Sequence, residues 1–193
     1  MKKIMFNDKY CLTQAVLDGT KTMTRRVLRD NVPLGNWKET VKHLPYKVGE
    51  VVAIAQPYKD IIERLPMYSD AILDEVGMPR KEFKAGWTNK MFVKADLLPH
   101  HIRITDVKGE RLQSVSDDDI MREGIREERF AGGDSMFFYN KTFIRDKKQC
   151  VEQIYNSTAR RAFASLMYKI VGGNTWHSNP FVVAYSFELI KSK

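Results

Sequence analysis

The chain has 193 residues and a mass of 22.4 kDa, about one domain on the usual scale of roughly 100–200 residues per domain. Hydrophobic residues make up 43% and charged residues 29%, too apolar for a disordered chain and too charged for a membrane bundle. The net charge of +8 is uneven: residues 1–49 hold ten Lys and Arg against four Asp and Glu, which makes a polyanionic partner an expectation. No run of about 18 apolar residues occurs, and no apolar segment follows the early lysines Lys2 and Lys3. A cytoplasmic protein without a membrane span is expected. Two cysteines, Cys11 and Cys150, exclude a disulfide framework and a cysteine-based zinc cluster, and both read as small buried hydrophobes.

In chain order, Leu12, Ala15 and Val16 repeat at helical spacing, predicting a helix over 12–18 closed by Gly19. Residues 48–55 are β-branched and apolar and predict a buried strand. Residues 56–90 carry Pro57, Pro66, Pro79, Gly77 and Gly86 among charges and read as an insertion with little regular structure. Residues 102–107 alternate as a strand, with a turn expected at Lys108-Gly109. Ser116 and Asp119 form a capping box opening a helix over 116–123, and Gly124 ends it. Residues 126–150, mixed in charge with Gly132-Gly133, read as a second, mobile insertion. Helical spacing runs from Val151 to Ile170, and residues 181–189 predict a closing strand. The expected fold class is α+β or a β-barrel decorated with helices, in a single domain spanning 1–193.

The chemistry concentrates in Gly19-Thr20-Lys21-Thr22-Met23-Thr24-Arg25-Arg26. Extended backbone would set Thr22, Thr24 and Arg26 on one face and Lys21, Met23 and Arg25 on the other, whereas a turn would mix them. The segment also fits a solvated basic loop. It is no phosphate loop, because the glycines and the Gly-Lys-Ser/Thr order are missing. His100 and His101 point to opposite faces of a strand, and His43 and His177 are distant in sequence, so no metal site and no cofactor are expected. One histidine of the pair fits a hydrogen-bonded position in a cleft. Trp87, Tyr58, Tyr68 and Phe92 are candidates for stacking on a base or for the core, and Trp176 for anchoring the turn into the last strand.

The stretch Leu17-Asp18-Gly19-Thr20-Lys21-Thr22-Met23-Thr24-Arg25-Arg26 resembles the opening signature of the ASCH family, whose members share the PUA-like barrel. Arg111 through Ile125, with its acidic helix ending in Glu123-Gly124, resembles that family's strand, turn and short helix. The blocks Trp87 to Lys94, Pro99 to Ile104 and Trp176 to Glu188 resemble its larger, phage- or prophage-associated branch. The resemblance implies a PUA-like, mostly antiparallel β-barrel with peripheral helices and two insertions, at 56–90 and 126–150. It implies a basic cleft that binds RNA or a nucleotide, with Thr22, Arg25, Arg26, Trp87, Lys90, His100 and Arg103 as ligand contacts.

In a small bacterial member, the matching lysine, threonine and glutamate support amide hydrolysis of N4-acetylcytidine. Those roles fall here on Lys21, Thr24 and Glu123, so the alternative expectation is an amidohydrolase acting on a modified nucleoside. A lysine serves as base only when burial or nearby cations lower its pKa from about 10.4. The same residues fit an ordinary ion pair between Glu123 and Lys21, with Thr24 as a hydrogen-bonding strut. A phage-related protein-interaction module is a further alternative and predicts a large exposed apolar patch.

Overall fold

The computed structural model describes residues 1–29 and 31–190. Its elements in chain order are β1 (Lys3–Ile4), α1 (Leu12–Leu17), β2 (Met23–Val27), α2 (Trp37–Lys42), β3 (Val51–Ile54), α3 (Tyr58–Arg64), α4 (Ser69–Ile72), β4 (His101–Arg111), α5 (Asp117–Arg122), β5 (Arg126–Arg129), β6 (Ser135–Arg145), β7 (Lys148–Asn156), α6 (Ala159–Ile170), α7 (Thr175–Ser178) and β8 (Phe181–Ile190). The architecture is mixed α+β. No helix among the described residues is long and apolar enough to cross a membrane. The chain divides into two compact units, one made of Met1–Phe6, Val51–Arg103 and Leu189–Lys193, the other of Asn7–Glu50 and Ile104–Glu188.

In the first unit β3 pairs in parallel with β1 and antiparallel with the start of β4, opposing Val51 to Arg103 and Ala53 to His101. The segment after β3, expected to lack regular structure, instead forms α3, α4 and several 3-10 turns around a core of its own. Tyr58, Ile61, Ile72 and Phe83 pack there with Ala53, Ala55, Val93 and Leu98. The prolines and glycines punctuate that segment without dissolving it. Gly86 shows why a small residue is needed: a Cβ there would sit 2.5 Å from the buried Tyr58 ring.

In the second unit β8 pairs antiparallel with β2, placing Thr24 opposite Tyr185 and Arg26 opposite Val183. β8 also pairs with β4, and β5, β6 and β7 form a separate antiparallel sheet. Neither the ladders of the two units nor this sheet closes into a barrel among the described residues.

Three expectations are corrected here. Strand β4 runs through Lys108-Gly109 without turning, because Gly109 makes room for a ring: a Cβ there would lie 2.6 Å from Trp37. Residues 126–150 hold β5, β6 and the start of β7, and the helix expected from Val151 starts only at Ala159. Residues 151–156 complete β7, whose alternate residues are exposed, because β6 supplies a nine-residue pairing partner from Phe137 to Arg145. Thr158 then caps α6 by accepting the Arg161 N–H at 3.1 Å.

Candidate ligand site around a buried ion cluster

The basic stretch is positioned by three pieces of local structure. Helix α1 ends at Gly19, whose φ of +73° is the left-handed conformation that suits glycine. The chain then enters β2 through Lys21, whose N–H bonds the Ala15 carbonyl at 2.9 Å, and Thr22, whose N–H bonds the Arg122 carbonyl at 2.9 Å. Across from it stands α5, capped by Ser116, whose hydroxyl accepts the Asp119 N–H at 3.2 Å. Glu123 closes α5, and Gly124 at φ +99° turns the chain away.

Two of the three cations of this stretch, Lys21 and Arg25, face inward. Lys21 is 2% exposed, and its Nζ donates to Glu123 Oε2 at 2.6 Å and to the Glu123 carbonyl at 2.7 Å. Arg25 Nη1 donates to Glu123 Oε1 at 3.0 Å, Nη2 to Asp119 Oδ2 at 2.9 Å, and Nε to Glu110 Oε1 at 2.8 Å. Met23 Sδ lies 3.2 Å from Arg25 Nη1. Lys21 and Arg25 thus share Glu123, as expected if extended backbone sets Lys21, Met23 and Arg25 on one face. Two further cations approach the same carboxylates from the rim: Lys108 reaches Asp119 Oδ2 at 2.5 Å, and Arg122 reaches Asp119 Oδ1 at 3.3 Å. Arg122 Nε also donates to Thr22 Oγ1 at 3.3 Å. The side chains of Lys108 and Arg122 are 41% and 42% exposed, so they belong to the cluster and to the surface at once.

Burial and charge pull in opposite directions. Burial lowers the Lys21 pKa, Glu123 opposes the shift, and Arg26 and Arg25 reinforce it, leaving it below the ordinary lysine value. Burial also disfavours the Arg25 charge, yet Glu123 and Glu110 outweigh it and hold the guanidinium protonated. Asp119 is pushed up by burial and down more strongly by Lys108 and Arg25, ending below the usual aspartate value.

Thr24 and Arg26 fall on the other face of β2, beside Tyr185 and Val183. Thr24 is buried and Arg26 exposed. Tyr46 and Tyr185 meet edge to face there at 5.4 Å between ring centres. Both hydrogen bonds of Lys21 Nζ go to Glu123, so the geometry unites Lys21 with Glu123, while strand alternation gives Thr24 the face opposite Arg25. On the Glu123-Gly124 side lies a cavity of about 210 Å³, lined by Tyr10, Cys11, Gln14, Asp18, Gly124 and Arg126 among others. A Cβ on Gly124 would stand 3.6 Å from Lys21 Cβ, so the cavity wall packs on the aliphatic part of Lys21.

Four of the expected ligand contacts lie in the first unit. Trp87 is half-buried against that unit's core, and its carbonyl accepts the Lys59 N–H at 3.2 Å. Lys90 Nζ donates to the Phe6 carbonyl. His100 is half-buried, and burial, then Arg64 and His101, lower its pKa, while Arg103 is exposed on β4. Trp176 meets Phe163 edge to face in the second unit, its carbonyl accepting Gln113 Nε2 at 2.7 Å. Both cysteines are half-buried.

The sequence did not single out Lys108, Glu110 or Arg122 as partners in the cluster. The signal for the first two was their i, i+2 spacing on a strand, which sets both on one face. For Arg122 it was the three-residue spacing from Asp119 on a helix.

No family model and no curated protein matches the chain. Among solved structures, an ASCH domain from Lactobacillus crispatus JV V101 is similar at 14% identity and a TM-score of 0.37, covering 95% of this chain and 75% of that one. At that TM-score no residue carries across, and the site rests on its own geometry.

Proposed function

We propose that the chain is an RNA- or nucleotide-binding protein of the ASCH, PUA-like kind, and that phosphates meet the rim of the ion cluster. The observation that carries this reading is the split within the cluster. Lys21 and Arg25 are buried and satisfied by Glu110, Asp119 and Glu123, while Lys108 and Arg122 keep about two fifths of their surface in solvent. Buried cations so paired organise a site. The exposed ones attract polyanions. The cavity next to Gly124 offers a base donors from Arg126 and an acceptor in Asp18, whose carboxylate takes the Gln14 Nε2 hydrogen bond at 2.6 Å. In the first unit, Trp87, Lys90, His100 and Arg103 remain the candidates for ligand contact. Fluorescence anisotropy with a short single-stranded RNA and with nucleoside monophosphates, across a salt series, tests the reading. Binding that weakens with salt and is impaired by Arg122→Ala and Arg126→Ala supports it. Absence of salt-sensitive binding to any of these probes rejects it.

One observation favours a second reading, hydrolysis of an acyl amide on a base such as N4-acetylcytidine. Lys21 and Glu123 are 2.6 Å apart in a buried setting, and burial lowers the lysine pKa. Such a pair is suited to taking a proton from a nucleophile and returning it to the departing amine. Thr24 sits on the opposite strand face, so the assay must ask whether it takes part. Turnover of acylated nucleosides lost in Lys21→Ala and Glu123→Ala supports the pair, and parallel loss in Thr24→Ala restores the hydroxyl to the mechanism. Turnover persisting in all three variants rejects it.

A further inference from the structure

The hairpin of β6 and β7 is longer than its packing requires. Its base is held in the second unit by buried Phe138 and Tyr139, with Tyr139 Oη 2.9 Å from Ser165 Oγ on α6, and by Thr142 Oγ1, which donates to the Lys9 carbonyl at 3.2 Å. Beyond Thr142 the ladder continues through Phe143 opposite Cys150, Ile144 opposite Gln149 and Arg145 opposite Lys148. Asp146 and Lys147 close it with φ of 50° and 63°, the two positive values of a type I′ turn, which matches the twist of the strands.

Alternation sorts the outer residues. Phe143, Arg145, Lys148 and Cys150 share one face, and the Arg145 guanidinium lies 5.9 Å from the Phe143 ring centre. Ile144 and Gln149 share the other, with Ile144 71% exposed. Arg145, Lys147 and Lys148 are all exposed at the tip, with Asp146 the one acid among them. The ion pair of Lys141 with Glu152, 2.6 Å apart, lies further down and leaves these three cations unopposed by it.

We propose that this hairpin is an arm that enters the major groove of B-form duplex DNA. Two strands about 4.8 Å apart, clothed in side chains, match a groove about 12 Å wide, and the outer rungs, each advancing about 3.4 Å, reach a floor about 8.5 Å deep. Arg145, Lys147 and Lys148 contact phosphates, and Ile144 meets a thymine methyl group. A-form RNA has a major groove too narrow for the ribbon and a shallow minor groove, so the shape selects DNA. This contact stands apart from the ion cluster and does not depend on the reading given above for it.

Fluorescence anisotropy of the full chain with a labelled 20-base-pair DNA duplex, at low salt and across a salt series, tests it. Duplex RNA of the same length and single-stranded DNA serve as comparison probes, and circular dichroism with thermal melting checks the fold. Changing Arg145, Lys147 and Lys148 to alanine should weaken duplex binding at least tenfold and reduce the slope of log K against log salt by about 2.7, at about 0.9 per lost phosphate contact. Ile144→Ser should weaken binding several-fold and leave that slope unchanged. Binding to single-stranded RNA should survive in both variants, so the arm and the cluster fail separately. Equal binding to duplex RNA, no duplex binding at low salt, or full binding by the triple variant overturns the proposal.

Discussion

Residues 21–26 and residues 143–151 are both short and rich in Lys and Arg, yet Lys21 and Arg25 of the first meet a fate opposite to that of the cations of the second. In the first, Lys21 and Arg25 are buried against Glu123, Glu110 and Asp119. In the second, Arg145, Lys147 and Lys148 stand in solvent around a tight turn. Charge density in a sequence therefore does not report charge at a surface. What decides the outcome is whether carboxylates from β4 and α5 are folded against the strand, and that decision is tertiary.

The comparison predicts a steep gradient of mutational effect. Glu123→Ala leaves Lys21 and Arg25 buried without a shared partner and should destabilise the protein by about 3–5 kcal/mol in urea unfolding. A joint Lys21→Met and Glu123→Leu change should cost much less than the sum of its parts, because no buried charge is left uncompensated. Ser116→Ala removes the cap that starts α5 and should cost about 1 kcal/mol. Lys147→Ala and Lys148→Ala should each stay within about 0.5 kcal/mol, since exposed charges contribute little to folding. An equal cost at both segments would erase the distinction.

Acid titration sharpens it further. Asp119 has a folded pKa below its ordinary 3.8, so its contribution to stability is present above 3.8 and is lost as pH falls through the folded value. Unfolding midpoints of the wild type should drop across that window, and those of Asp119→Asn should drop less. A variant as acid-sensitive as the wild type would place the lost carboxylate elsewhere.

Local signals were legible from sequence. The helix at α1 with its terminal glycine, the cap at Ser116 and the alternation of Lys21, Met23 and Arg25 each depend on neighbours within a few residues. Residues 126–156 were not legible: β5 and β7 are largely exposed and mixed in charge, so neither a core stripe nor a clean alternation marks them. Val151 and Tyr155, four residues apart, satisfy helical spacing and strand alternation alike, and only pairing with β6 settles the choice. The cluster was half legible. The resemblance brought Lys21 and Glu123 together, while Glu110, Asp119 and Lys108 entered through contacts spanning 85, 94 and 11 residues.

The most direct test of the central claim, that the rim of this cluster and not its buried cations meets the ligand, is the salt dependence of RNA binding. It should be measured for the wild type beside a Lys108→Ala, Arg122→Ala double variant. The account predicts that the slope of log K against log salt falls by about 1.4, at about 0.7 per lost contact to a single strand, while the fold is retained. A double variant with the wild-type slope and affinity would contradict it.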